Sequence, residues 1–165
     1  MKEIEQLIER LKQGEDSAFE RIYELFESCL YNHLFQMLGS REKAEEAFQE
    51  TMLKMIRKID FYSPRSEFKN SFKAWVFRIG TNIAIDMLRK EKTRDQNLSV
   101  VEDSYLDEVE KRNFKERLDF LISELPSIQR TLLNLKVNED LSHLEISIIC
   151  GCNINAVKQL SLIHI

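Results

Sequence analysis

"FKAWVFRIGTNIAIDMLRKEKTR", residues 72–94, decides the fold. Phe72, Trp75, Val76, Ile79 and Ile83 stand at offsets 0, 3, 4, 7 and 11, which places them on one face of an α-helix predicted to run over roughly 69–92. Arg78, Asn82, Ile85 and Arg89 form a neighbouring stripe at offsets 0, 4, 7 and 11. Arginine brings a charged fork for phosphates and guanine edges, and asparagine an amide for an adenine edge, so this stripe carries DNA-reading chemistry. Lys90 and the rest of "RKEKTR" add cations for a polyanion, an attraction that weakens with salt. Trp75 borders both stripes and fits either a core anchor or a base-stacking platform.

The same spacing recurs outward in both directions. Ile4, Leu7, Ile8 and Leu11 mark a short amphipathic helix over 3–13, stopped by Gly14. Asp16 or Ser17 offers an N-cap for a second helix to about Leu38, whose core stripe is Phe19, Ile22, Tyr23, Phe26, Leu30, Leu34 and Met37. After Gly39, Ser40 caps a third helix to about Asp60, with Ala44, Phe48, Thr51, Met55 and Ile59 inward. On its other side Glu46, Gln49, Glu50, Leu53 and Arg57 surround an exposed leucine with carboxylates and an amide. That suits a basic partner helix, or else is a solvated acidic face. "DFYSPRSEFKN" then breaks the periodicity, because Pro64 forces its predecessor out of the α region. Its Ser63, Arg65, Ser66, Phe68 and Asn70 supply the ring and short polar groups that an extruded base requires. With 4 Gly, 2 Pro and no alternating apolar runs, the chain is expected to be all-α.

Residues 95–110 are acidic and weakly periodic, and read as a linker. Beyond about 113, "LPSIQRTLLNLKVNEDLSHLEISIICGCNINAVKQ" reads as a helix-turn-helix. Pro126 opens a helix, Ser142 caps a short one to Ile149, Gly151 makes the turn, and a reading helix begins near Asn153–Asn155. Asn153, Asn155, Lys158 and Gln159 then lie where base contacts are made. An unrelated pair of packing helices has the same pattern.

The totals bound the function. A chain of 165 residues with 43% hydrophobic and 32% charged residues suits one modest core or two small ones in a soluble protein. Its opening residues lack the pattern of a signal peptide, so a cytoplasmic protein is expected. Cys29, Cys150 and Cys152 are an odd number without zinc spacing, which argues against a disulfide framework and against a metal. No clustered histidines, phosphate loop or nucleophile setting points to an enzyme, a cofactor or a small-molecule substrate. The net charge of −4 conceals a segregation: residues 54–94 carry 11 Lys and Arg against 4 Asp and Glu, whereas residues 1–53 carry 6 against 12. One surface for a polyanion and another for a basic partner follows from that division, unless it reflects solvated faces alone.

Taken in order, these segments resemble a family. "GEDSAFERIYELF", "AEEAFQETMLKMIRKI", "FKAWVFRIGTNIAIDMLRKEKTR" and the "LPSIQR" helix-turn-helix are similar to the conserved segments of bacterial RNA polymerase sigma factors of the sigma-70 family, extracytoplasmic function type. The resemblance implies two small helical domains: sigma region 2 over 1–92, an acidic flexible linker over 93–112, and a region 4 helix-turn-helix over 113–159. It implies a factor that binds core polymerase, recognises minus-ten and minus-thirty-five promoter DNA and assists strand opening. The alternative is a stand-alone helix-turn-helix regulator. Carried over by position, Glu46, Gln49, Glu50, Leu53 and Arg57 contact the clamp helices of the largest polymerase subunit, and region 4 meets the flap. Asn82 and Arg89 meet minus-ten DNA, together with Trp75, Arg78 and Lys90, and the loop Asp60–Ser71 holds a flipped base. An anti-sigma factor is a further implied partner. Gly80 departs from the family's alanine and Met52 from its phenylalanine. The final "LSLIHI", residues 160–165, looks like the translated mosaic end of a sequencing adapter and is set apart from the fold, the alternative being a natural apolar end.

Overall fold

The computed structural model describes residues 2–95, 135–136, 139 and 141–163. The described residues form helices and connecting turns: α1 (Lys2–Lys12), α2 (Asp16–Leu38), α3 (Arg41–Lys58), a 3₁₀ turn (Ile59–Phe61), α4 (Ser71–Asp95), α5 (His143–Cys150) and α6 (Ile154–Ile163). Pro126, most of the expected linker and the helices expected before residue 135 lie outside the described residues.

The expected stripes make the core. Ile22, Phe26, Leu30 and Leu34 from α2, Ala44, Phe48 and Met55 from α3, and Phe72, Val76 and Ile83 from α4 are buried against one another. Each of these side chains larger than alanine contributes on the order of 1.5–3 kcal/mol by leaving water. α1 lays Leu7, Ile8 and Leu11 on this bundle. Trp75 and Ile79 are only half-buried, at the rim rather than inside the predicted face. Phe77, one residue beyond Val76, is fully buried and widens the apolar stripe of α4.

Boundaries shift for local reasons. α2 is preceded by Glu15 at the N-cap, not by Asp16 or Ser17, and Glu15 makes no side-chain cap bond. Its carboxylate is engaged by Arg10 Nε at 2.5 Å, and Arg10 also donates to Ser17 Oγ at 3.0 Å, so the three side chains fasten the α1–α2 turn. Ser40 caps α3 as expected, accepting the Lys43 N–H at 3.4 Å. The expected third helix to Asp60 instead tightens after Lys58 into the 3₁₀ turn, where the Tyr62 N–H bonds the Ile59 carbonyl. The fourth helix starts at Ser71 rather than 69 and continues to Asp95 rather than 92.

Buried polar groups of the bundle find partners both across helices and within one. His33 on α2 and Thr81 on α4, both buried, bond at 2.9 Å. Thr51 turns its hydroxyl to the Ala47 carbonyl at 2.6 Å. Gly80 marks the close approach of α4 to its neighbours: a β-carbon there would lie 3.2 Å from Leu30 Cδ1 and from Thr51 Oγ1. A glycine at position 80 thus matches a tight crossing.

Ser142 and Glu145 close a capping box on α5, and Gly151 at φ 64° turns the chain into α6. α6 stays helical through residues 160–163, part of the segment set apart above. α5 packs on α4, and α6 on α5. Among the described residues no helix is long and apolar enough to cross a membrane.

Candidate nucleic-acid interface

The loop between the 3₁₀ turn and α4 is latched at its mouth. Ser71 Oγ receives the Tyr62 hydroxyl at 3.1 Å and the Arg65 backbone N–H at 3.0 Å. Burial pushes the Tyr62 phenol above its ordinary range, more than the Ser71 hydrogen bond draws it down, so it remains a donor. The Tyr62 ring is fixed between Phe72, 5.2 Å away, and Trp75, 5.0 Å away. At the tip the Arg65 guanidinium lies 4.8 Å over Phe68 and pairs with Glu67 at 2.8 Å.

A cavity of about 510 Å³ opens between this loop and α1 and α2. Arg65, Ser66, Phe68 and Asn70 line it, together with Tyr62, Phe72 and Lys73. Ser63 and Trp75 are not among its lining residues. Its opposite wall is α1, through Ile4, Glu5 and Ile8. The periodicity of α1 marks its core face but not which loop that face would roof, so this wall was not legible in the sequence.

The second part of the surface is the outer stripe of α4. Arg78, Asn82, Arg89 and Lys90 are exposed along it, and Arg89 approaches Asp86 at 3.7 Å. These residues do not line the cavity, so the loop and the stripe are adjacent parts, one concave and one convex. On α3, Glu46, Gln49, Leu53 and Arg57 are exposed, Leu53 at 52%. Glu50 is half-buried and bridges Lys54 at 2.7 Å. Ile56, exposed at 37%, enlarges the apolar spot beside Leu53. The α3–α4 pair is further joined by an ion pair between Lys43 and Glu91.

On α6, Asn153, Asn155, Lys158 and Gln159 are all exposed. Asn153 Oδ1 accepts the Asn155 N–H at 2.8 Å, so its oxygen shapes the helix start. A tight capped helix, a left-handed glycine and an outward-facing second helix are the geometry of a helix-turn-helix.

Residues 22–94 match Sigma-70 region 2, and residues 115–160 match Sigma-70, region 4. The chain belongs to the sigma-70 family, extracytoplasmic function type. It is 28% identical over 170 residues to the ECF RNA polymerase sigma factor SigW of Bacillus subtilis, covering 94% of this chain and 89% of that one. It is 26% identical over 148 residues to the ECF RNA polymerase sigma factor RpoE of Cereibacter sphaeroides, covering 87% and 80%. In fold it is similar to CnrH, solved in complex with the cytosolic domain of CnrY, with a TM-score of 0.66 over 93% of this chain and 86% of that one at 19% identity. It is also similar to the sigma factor RpoE of Bartonella quintana, solved with the anti-sigma factor NepR, with a TM-score of 0.68 at 23% identity over 86% and 88% of the two chains. This sigma factor is a transcription initiation factor that recognises promoters, and sigma factors as a family are DNA-binding proteins rather than enzymes. The region 2 match favours that function over a stand-alone helix-turn-helix regulator, which would leave α1–α4 without a role.

Three residues that matter here escaped the sequence reading: Lys73, Glu139 and Glu145. Lys73 sits in the first turn of α4 and pairs with Glu139 at 2.7 Å, and Glu145 accepts the Asn70 N–H at 2.5 Å. Ser142-x-x-Glu145 is a legible capping pattern, but nothing local shows that the same carboxylate reaches a loop 75 residues away.

Proposed function

We propose that region 2 of this sigma factor, residues 1–92, divides its two tasks between adjacent helices. Glu46, Gln49, Glu50, Leu53 and Arg57 on α3 dock on the clamp helices of the largest polymerase subunit, where the exposed leucine is buried and the carboxylates set register. Asn82 and Arg89 on α4, with Arg78, Lys90 and Trp75 beside them, hold minus-ten DNA, and the latched loop with Ser63, Arg65, Ser66, Phe68 and Asn70 takes an extruded non-template base. The observation that carries this reading is the exposure of both stripes side by side, acidic and apolar on α3, cationic and amide-bearing on α4. Stacking and hydrogen bonding to the extruded base offset unstacking of roughly a few kcal/mol per step, with no covalent step.

Residues 93–112 tether region 2 to region 4, residues 113–159. There Asn153, Asn155, Lys158 and Gln159 read minus-thirty-five DNA, and the flap of polymerase is the contact. The factor works in the cytoplasm, where its polymerase is. An anti-sigma factor, as in the solved complex of the Bartonella quintana relative, is the partner expected to hold it silent.

Promoter-specific transcription with core polymerase tests the division. Glu46→Ala/Glu50→Ala should weaken polymerase binding about tenfold or more, as loss of interface anchors does. Asn82→Ala/Arg89→Ala should leave polymerase binding intact and lower open-complex formation by a similar factor. Two double variants indistinguishable from the parent would refute the assignment of both faces.

A further inference from the structure

Two carboxylates of the C-terminal unit rest on the two groups at the head of α4 best suited to an anion. Glu145 is fully buried: Oε1 accepts the Asn70 backbone N–H at 2.5 Å, while Oε2 receives the Ser142 N–H at 2.8 Å and its hydroxyl at 2.7 Å. Glu139, 6% exposed, receives the Lys73 ammonium at 2.7 Å on its carboxylate, and Lys73 donates again to the Glu139 carbonyl at 3.2 Å. A cation in the first turn of a helix opposes the macrodipole, so Lys73 and the free N–H groups of that turn together call for negative charge. Asn70 and Lys73 both line the cavity of the minus-ten loop. A DNA phosphate offers the same groups the same chemistry, anionic oxygens taken by a lysine and a backbone N–H. One site cannot hold both.

The promoter geometry requires a choice between them. Minus-ten and minus-thirty-five elements lie about 25 base pairs apart, on the order of 85 Å of duplex at 3.4 Å per step. A chain whose α5 packs on α4 cannot lay α4 and α6 on both at once. The α4–α5 contact must part when the promoter is engaged.

We propose that Glu139 and Glu145 are intramolecular stand-ins for DNA phosphates, and that Lys73 with the Asn70 N–H is a phosphate site uncovered only when the C-terminal unit leaves α4. This rests on the reading of the loop and α4 as the minus-ten surface. Closure is then competitive: what silences the free factor is occupation of the same donors, and DNA bound there holds the chain open.

The test uses the full chain without polymerase and a fluorescein-labelled, mixed-sequence single-stranded DNA, read by anisotropy at low salt. Glu139→Gln/Glu145→Gln keeps shape while removing both charges, and should bind the strand roughly tenfold tighter than the parent, with a steeper salt dependence. Adding Lys73→Gln should cancel most of the gain. No gain in the double variant, or a gain that survives Lys73→Gln, overturns the proposal. A gain that needs Lys73 but is untouched by Asn82→Ala/Arg89→Ala keeps the phosphate site and sinks the minus-ten reading instead. Glu145 also caps α5, so if the double variant loses helical signal, Glu139→Gln alone is read in the same way, with a smaller gain again cancelled by Lys73→Gln.

Discussion

His33 shows how one side chain sets a stability limit. It lies fully buried on α2, bonded to Thr81 and 5.1 Å from the Phe77 ring. Burial lowers its pKa from 6.5 to about 3, so the fold holds the imidazole neutral. The unfolded chain takes up a proton as pH falls through 6.5 while the folded chain refuses it until about 3. Stability is therefore fully present above pH 6.5 and declines below it, by up to about 1.4 kcal/mol per pH unit from this group. Urea titrations of His33→Leu and of the parent should show a shallower decline between pH 6 and 4 in the variant, about 1 kcal/mol or more less across that span. Equal slopes would place the acid sensitivity in the carboxylates. His33 stands outside the stripe read for α2, between Leu30 and Leu34, and its burial emerges only from the packing. Its partner is equally hidden, because Thr81 lies 48 residues on and no local rule pairs them.

At the level of helices, the crossing of α4 over α2 and α3 turns on Gly80. Alanine there would gain about 1 kcal/mol of helix propensity. Its β-carbon, however, meets Leu30 and Thr51 at 3.2 Å and Leu34 at 3.4 Å, and Thr51 Oγ1 is held by the Ala47 carbonyl. Overpacking of this kind costs on the order of 1–3 kcal/mol, so Gly80→Ala is expected to lower the melting temperature by a few degrees. Thr51→Ala removes the pinned oxygen, and the two changes together should cost less than the sum of each alone. Strict additivity in a double-mutant cycle would show that the crossing yields elsewhere. The helices themselves were readable, since Ala44, Phe48, Thr51 and Met55 on α3, with Ile59 in the 3₁₀ turn that follows, keep one face and all are buried. Their ends were less so: the N-cap of α2 moved to Glu15 because Arg10, from the preceding helix, reaches across the turn. Ile79, on the predicted inward face, is only half-buried because a wheel gives direction around a helix and not the depth of what covers it, whereas Trp75 lies at the border of the two stripes as its wheel position indicates.

Across the whole chain the controlling event is separation of α5 from α4. Asn70 reports it directly, because its amide is bonded only while Glu145 is in place. Amide exchange at Asn70 should be slow in the free factor. In Glu139→Lys, where attraction to Lys73 becomes repulsion, it should speed up by roughly tenfold. Unchanged exchange would mean that the contact of α4 with α5 holds without Glu139. The charge segregation visible in the sequence pointed to two surfaces, but the contact that covers Asn70 and Lys73 at the head of α4 joins residues 66 and 75 apart and left no periodic trace. The clasp of Tyr62 and Arg65 on Ser71 has a consequence of its own. Because the strap is tied at its base by Tyr62, Arg65 and Ser71, a graft of foreign sequence from 66 to 69 is expected to leave the 3₁₀ turn and α4 where they are. On the proposed reading of the loop, letter preference at the melted strand would then change with the graft and not with the scaffold that carries it.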